Sequence, residues 1–525
     1  MRRLLFALLA LPLLASAAAA ADAPNIVLLL VDDLGKEDLG FEGTAFYETP
    51  RIDALAARSM RFDRGYSACQ VCSPSRAAIQ TGKYPPRTGV TDYIGGGNQP
   101  GQWRRNTVLL PAPYAGNLAR EEVTIAEALK DGGYRTFFAG KWHLGGDGHT
   151  PTDQGYDINK GGYGYGTPPG GFHAPFKNAK LSDSPPGTEL PHRLAQETAD
   201  FITQTAPGEP YFAMLSFYSV HAPIQCSKAR WEKFRNKAEG LGLTDRTAPR
   251  FLFDRVMPVR QVQDHPVYAG MMAALDDAVG QVLDAVEASG EADNTVIIFT
   301  SDNGGVSSGD GFATACLPMR GGKGRQWEGG IRQPLTICVP GTTDDGGATD
   351  VPAIGMDFYP TLLELAGLPA RPEQHVDGVS LVPAIGGEPT EELKSRPLFW
   401  HYPHYGNQGG EPSAIAMDGD WKLIRYFEDG RHELYDLAAD IGETNDLAES
   451  NPDKVRELSG RLDAWLAEVG AKYPTKNPRF DQAEYDKLIE SRIGEGTAYR
   501  DKEHARFLDP DFEPKGGWWD LRGKK

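Results

Sequence analysis

Cysteine is scarce: five residues, Cys69, Cys72, Cys226, Cys316 and Cys338, in a chain of 525. This excludes a disulfide-dense scaffold, and in an oxidising compartment the odd count leaves at least one cysteine unpaired or modified. Positive charge is also in deficit. Lys and Arg number 54 against 72 Asp and Glu, a formal net charge of −18. That argues against nucleic acid or an anionic membrane as the main partner. An anionic substrate needs cations gathered locally against the global field. No long apolar run follows the first residues, so no second membrane span is expected. No internal repeat is present. The C-x-x-C at Cys69 and Cys72 has no second C-x-x-C or matching His pair, which argues against zinc.

The chain opens with MRRLLFALLALPLLASAAAAADAPN. Two arginines, an apolar run and closing alanines read as a secretory signal peptide, residues 1–21, cut near Ala20 or Ala21. The expectation is a periplasmic or secreted protein with no stable membrane span after cleavage. Hydrophobic content of 40% and charged content of 24% are ordinary for a soluble globular chain. The length suits one large α/β domain plus a smaller one.

NIVLLLVDD reads as a buried strand ending in two carboxylates, and TPRIDALAARSM as a helix with Thr49 as cap and Pro50 in its first turn. SPSRAAIQTG repeats the device, with Ser73 as cap and Gly82 as stop, placing Cys72 at a helix N-terminus that favours negative charge. Further strands run through YRTFFAG into KWH, PYFAMLSFYSV into HAP, and NTVIIFTSDNGG into Asp302 and Asn303. VTIAEALKDGG, the stretch from about His265 to Gly290, and MDFYPTLLELAG read as helices, and PLTICVP as one more strand. The alternation predicts a largely parallel sheet with helices on both faces over 22–395. From 396 to 470, FWHYPHYGNQGG, WKLIRYFEDG, RHELYDL and PDKVRELSGRLDAWLAEVG predict a small α+β domain with an antiparallel sheet. Residues 471–525 read as a polar surface tail.

In parallel sheets ligands gather beyond the carboxyl ends of the strands. Four predicted strands end there in polar groups. Asp32, Asp33, Asp302 and Asn303 offer hard oxygen ligands, which suit Ca²⁺ or Mg²⁺; each pair alone also reads as a cap or turn. Arg76, Lys141, His143, His221 and Lys323 stand at strand ends or in Gly-rich loops. A divalent cation with such a cluster would hold a tetrahedral oxyanion, as in a sulfate or phosphate ester. The pair Cys69 and Cys72 remains open to a disulfide, a redox site or one reactive thiol beside an idle one.

CSPSRAAIQTGK, Cys72 to Lys83, resembles the type I sulfatase signature C-x-P-S-R-x-x-L-x-T-G-K/R, with Ile79 in place of Leu. The resemblance continues through VDDLGKEDLG, TPRIDALA, GKWHLG, HAP, TSDNGG, RGGKGRQWEGGIRQP, GDWKLI and HELYDLAADIGETNDLA. It implies an alkaline-phosphatase-like fold with a sulfatase catalytic domain over 22–395. It also implies that Cys72 is converted by a separate maturation enzyme to Cα-formylglycine (3-oxoalanine). The hydrate of that aldehyde would attack sulfur and form a covalent enzyme–sulfate intermediate. Asp32, Asp33, Asp302, Asn303 and residue 72 would hold one Ca²⁺. Arg76 and Lys141 would hold the hydrate and the sulfate, His143 would be the base, and His221 and Lys323 would contact sulfate. Lys36 and Glu37 depart from residues often aromatic or glycine in relatives, and read as surface turn residues.

The signature does not separate sulfated sugars from other esters. FWHYPHYG resembles the corresponding segment of bacterial sulfatases acting on sulfated polysaccharides and glycosaminoglycans. It marks Trp400, His401 and His404 as candidate sugar contacts, against the alternative of an aromatic strand packed on the main sheet. The expected activity is removal of O-sulfate from a sulfated carbohydrate. The competing readings are a phosphonate or phosphate ester hydrolase of the same superfamily, or a non-catalytic binder of sulfated glycans if Cys72 stays a thiol.

Overall fold

The computed structural model describes residues 23–182, 184–514 and 519. The expected signal peptide therefore lies outside the described residues. Among the described residues no helix is long and apolar enough to cross a membrane.

The main sheet has eight strands: β1 (Asn25–Val31), β2 (Met60–Phe62), β3 (Arg135–Gly140), β4 (Ile158–Lys160), β5 (Tyr211–Ser216), β6 (Thr295–Ser301), β7 (Leu335–Cys338) and β8 (Gly347–Thr349). Their order is β8-β2-β7-β6-β1-β5-β3-β4. Only β7 runs against its neighbours; the other pairings are parallel. This is the largely parallel sheet expected from the alternation of elements.

The unbroken apolar run of β1 follows from cover on both faces. Val27, Leu29 and Val31 join one core cluster; Ile26, Leu28 and Leu30 join another. On the first face lie helices α1 (Pro50–Ala56), α4 (Leu190–Gln204), α5 (Lys228–Gly240) and α6 (Pro266–Ser289). On the second lie α2 (Cys72–Thr81), α3 (Ile125–Asp131) and α7 (Phe358–Leu365). The six apolar side chains from Ile26 to Val31 are fully buried, each contributing about 1.5–3 kcal/mol by removal from water.

Of the two predicted caps, Thr49 holds its position and Ser73 does not. Helix α2 starts at Cys72 with Val71 as its N-cap, so Ser73 lies inside the first turn. The Ser73 hydroxyl donates instead to the His143 carbonyl at 2.9 Å and accepts from the Ile94 amide at 3.1 Å. Thr49 is the N-cap of α1 without a side-chain cap bond; the carboxylate of Asp276 accepts from the Arg51 and Ile52 amides. Gly82 ends α2 at φ +68, and a Cβ there would lie 2.4 Å from that of His375. Lys36 is not a surface residue: it is buried in a short 3-10 turn and paired with Glu42.

The smaller sheet is antiparallel: β9 (Leu398–Tyr402), β10 (Ser413–Asp418), β11 (Trp421–Tyr426) and β12 (His432–Asp436), in that order. Helix α8 (Pro452–Glu468) packs on it, stacking Trp465 on Phe399 with ring centroids 5.0 Å apart. Its core also takes in Tyr66, Ala78 and Trp327 of the main body. The segment read as a polar tail contains a 27-residue helix, α9 (Gln482–Leu508). It docks through the Phe507 and Leu508 carbonyls, which accept from Trp231 and Arg235 at 2.8 and 3.0 Å.

Candidate active site

Strands β6, β1, β5 and β3 are consecutive in the sheet and end level: Val31 lies opposite Ser301, and Ser216 lies beside both Leu30 and Gly140. Their polar termini therefore converge. Asp302 and Asn303 follow β6, Asp32 and Asp33 follow β1, and Lys141 and His143 follow β3. His221 lies five residues past β5. Helix α2 brings Cys72 and Arg76 to the same edge. Asp33 and His143 both have left-handed backbone, φ +64 and +57. Such geometry costs of order 1–3 kcal/mol per residue and persists where surrounding bonds fix it. Here the Asp33 amide donates to Asp302 Oδ1 at 3.2 Å and the His143 amide to the Tyr163 carbonyl at 3.1 Å.

Asp32, Asp33 and Asp302 are fully buried, with one oxygen of each within 4.8 Å of the others. Three cations answer them. Lys141 Nζ lies 2.6 Å from Asp32 Oδ2, Arg76 Nε 2.8 Å from Asp302 Oδ2, and Lys323 Nζ 2.8 Å from Asp33 Oδ2. Arg76 Nη1 also donates to the Lys141 carbonyl and the Ser216 hydroxyl at 2.7 and 2.6 Å. Even so, Asp32 Oδ1 and Asn303 Oδ1 are buried with no hydrogen-bond partner. Burial pushes the Asp32 carboxyl well above its ordinary range, against the pull of Lys141. For Asp33 burial is outweighed by Lys323, His221 and Lys141, which hold it low. Buried acceptors without donors require a partner, and an all-oxygen set of this kind fits a hard divalent cation. The residues present thus fit Ca²⁺ or Mg²⁺.

Cys72 Sγ lies 3.2 Å from His143 Nδ1, and His143 Nε2 lies 2.8 Å from the Ile94 carbonyl. A carbonyl only accepts, so Nε2 carries the proton and Nδ1 presents its lone pair to residue 72. Burial, with Lys141 adding, holds the imidazole well below its ordinary range, so it is a neutral base. Burial also raises the Cys72 thiol, although Lys141 and Lys323 oppose it; a thiol held protonated is a poor nucleophile. His221 Nδ1 donates to the Ala222 carbonyl at 2.7 Å, leaving Nε2 3.7 Å from Asp33 Oδ2. Burial and then Lys323 bring its pKa down to about 4. Burial would lower Lys323, but Asp33 and then Asp310 more than offset this and keep it cationic.

Cys72, His143, His221 and Lys323 line one cleft of about 300 Å³. Arg76 and Lys141 stand behind it among the carboxylates. Sequence reasoning missed Tyr93, Ile94, Tyr165, Asp310, Asn407 and Gln408, which also line it. The available signal was glycine-rich loops carrying tyrosine, DYIGGG and GYGYG. The candidate sugar contacts, on β9 and just after it, lie elsewhere. Trp400 donates to the Ser67 carbonyl at 2.7 Å, His401 Nε2 lies 2.8 Å from the Lys472 carbonyl, and His404 Nε2 lies 2.9 Å from the Thr91 hydroxyl. All three are buried and none lines the cleft, because β9 is covered by α8 and by the main body. The aromatic-strand alternative describes them. All five cysteines are free, so Cys69 and Cys72 are not bridged.

Comparison with known proteins places this geometry. The Sulfatase family profile matches residues 24–368, and an N-sulphoglucosamine sulphohydrolase C-terminal profile matches 323–472. A curated sulfatase of Formosa agariphila is 30% identical, over 89% of this chain and 93% of its own. The N-acetylgalactosamine-6-sulfatase of Mus musculus is 32% identical, over 76% of this chain and 72% of its own. Among solved structures, Ps i-CgsB in complex with k-i-k-neocarrahexaose superposes with a TM-score of 0.68 at 25% identity, covering 92% of this chain and 99% of that one. The chain belongs to the sulfatase family of the alkaline-phosphatase-like superfamily and is an enzyme of that class.

Proposed function

We propose that the protein removes O-sulfate from a sugar unit, with residue 72 acting as Cα-formylglycine and one Ca²⁺ held by Asp32, Asp33, Asp302, Asn303 and residue 72. The observation that carries this is the convergence of Cys72, the unprotonated His143 Nδ1 and the buried oxygen cluster at one end of one cleft. The cation, when bound, supplies charge stabilisation to the sulfate oxygens and to the attacking oxygen. Residue 72, as the aldehyde hydrate, would offer one hydroxyl as the nucleophile toward sulfur, the sugar alcohol leaving, and a second whose deprotonation would expel sulfate and restore the aldehyde.

The chain's own residues then have defined tasks. His143 Nδ1 takes a proton from the group on residue 72; the Ile94 carbonyl fixes its tautomer. Arg76 and Lys141 pair with Asp302 and Asp32 and orient them. Lys323 and His221 approach from the Asp33 side, where they would contact sulfate, and one of them would assist the leaving alcohol. The sugar assignment draws on the relatives named for N-acetylgalactosamine 6-sulfate and bound to neocarrahexaose. Secretion and maturation by a formylglycine-generating enzyme belong to the same proposal.

The test is sulfate release from a panel of sulfated mono- and oligosaccharides beside an aryl sulfate and an aryl phosphonate. Turnover of at least one sugar sulfate, faster than the phosphonate, is expected. Turnover of aryl sulfate with none on any sugar overturns the sugar assignment, and faster phosphonate hydrolysis favours the phosphonate hydrolase reading.

A further inference from the structure

A second cleft of about 210 Å³ opens beside the first, and Asn407 lines both. The junction is polar: Asn407 Nδ2 donates to the Tyr93 hydroxyl at 2.9 Å, and Arg105 Nη1 lies 3.4 Å from Asn407 Oδ1. Arg105 and Tyr405 line the second cleft together with Tyr485, Leu488 and Arg492, the last three on helix α9.

The charges in this cleft are unevenly matched. Its two acids already have partners on the protein. Glu411 bonds Arg255 and, at 3.0 Å, Arg431, and Glu428 accepts from the Tyr405 hydroxyl. The two arginines facing them do not. Arg105 donates to the Tyr405 carbonyl at 3.0 Å and lies over the Trp103 ring at 5.0 Å; Arg492 donates to the Val256 carbonyl at 3.0 Å. Among the described residues neither forms an ion pair. Both line the same cleft; burial lowers the Arg105 guanidinium pKa, and Arg492 adds to this. An exposed arginine is ordinarily just solvated. Two without acidic partners, in a chain of net charge −18 and in a cleft that shares Asn407 with the candidate active-site cleft, suit an anion. The guanidinium fork matches sulfate and carboxylate, and the half-buried Tyr485 ring offers a face to a sugar.

We propose that this cleft is a second subsite, holding an anionic group on the sugar unit next to the one being desulfated. The preferred substrate is then an oligosaccharide with a neighbouring sulfate or carboxylate, not a singly charged sugar. The inference rests on the sugar reading above.

The test compares kcat/KM on a small aryl sulfate, a monosulfated oligosaccharide, its disulfated counterpart and a uronate-containing sulfated oligosaccharide. The protein is used as the full chain and as Arg492→Gln, Arg105→Gln and Arg492→Lys. On substrates with a second anion each glutamine variant should lose about tenfold in kcat/KM, mainly through KM. Arg492→Lys should fall between, and rates on the aryl sulfate and the monosulfated sugar should hold. Preference for the disulfated or the uronate substrate identifies which anion the subsite takes. Unfolding temperatures of the variants report whether the fold is kept, and the lysine variant keeps the test open if a glutamine variant does not fold. No gain from the second anion, or equal losses on every substrate, overturns the subsite while leaving the sugar reading intact. Turnover of the aryl sulfate with no sugar hydrolysed overturns both.

Discussion

Acid should loosen helix α9 before it unfolds the main body, through His504. This imidazole is 1% exposed. Its Nδ1 accepts from Arg260 Nη2 at 3.1 Å, and Nε2 lies 3.2 Å from Asp264 Oδ1. Arg250 also pairs with Asp264, and the His265 ring stands 5.7 Å away. A proton added at Nδ1 would face a guanidinium. Burial first, and then Arg260, accordingly bring the His504 pKa down to about 4. An undocked histidine titrates near 6.5, so between these values the undocked state binds the extra proton and docking weakens as pH falls. The slope is about 1.4 kcal/mol per pH unit and the full loss about 3 kcal/mol. Asp264 is held low by its cationic neighbours, against burial; its contribution is present above the ordinary carboxylate pKa and is lost only at lower pH, outside this window. Amide hydrogen exchange over 482–508, corrected for intrinsic rates, is the assay. Opening constants should rise about tenfold per pH unit from about pH 6 to about pH 4.5, and His504→Gln should reduce that slope to what His265 adds. Opening independent of pH, or an unchanged slope in the variant, refutes the reasoning.

Other consequences are local. A Cβ at Gly166 would lie 2.5 Å from His143 Cε1, so Gly166→Ala should displace the base and cut kcat by about 10–100-fold with little change in unfolding temperature. Chelation should lower both activity and thermal stability by exposing Asp32, Asp33 and Asp302 to one another, and added Ca²⁺ should restore both. Trp400→Ala should cost about 3–5 kcal/mol of stability, by loss of a buried ring, with KM unchanged in material that stays folded. Tyr165→Ala, at a side chain 57% exposed on the cleft, should raise KM and leave stability alone.

Most of the chemistry was legible because it is local. Apolar strands ending in DD, KWH and DN announce both a parallel sheet and its functional edge, and the signature after Cys72 names the residue on α2. The failures have physical causes. The Ser73 cap was misread because Ser-Pro is a general helix-start signal, whereas this hydroxyl is occupied by His143 and Ile94. Trp400 and His401 look like ligand contacts in one dimension; only the packing of α8 and the main body over β9 closes them off. Strand β10 has small residues and a weak pattern, and is fixed by its pairings to β9 and β11. Helix α9 is polar along most of its length, and its docking depends on scattered residues, Arg492, Asp501, His504, Phe507 and Leu508, that meet Val256, Arg250, Arg260 and α5 from distant parts of the chain. Asn407 and Gln408 reach the cleft from a loop of the smaller domain, a contact no spacing in the sequence foretells.

The central claim is that residue 72 acts as an aldehyde-derived nucleophile. The most direct measurement is the mass of the tryptic peptide Gly65–Arg76, with fragmentation, from catalytically active protein. The account predicts a loss of about 18 Da at residue 72, the change from thiol to aldehyde, with Cys69 unchanged. An intact cysteine at position 72 in protein that turns over a sulfate ester would contradict it.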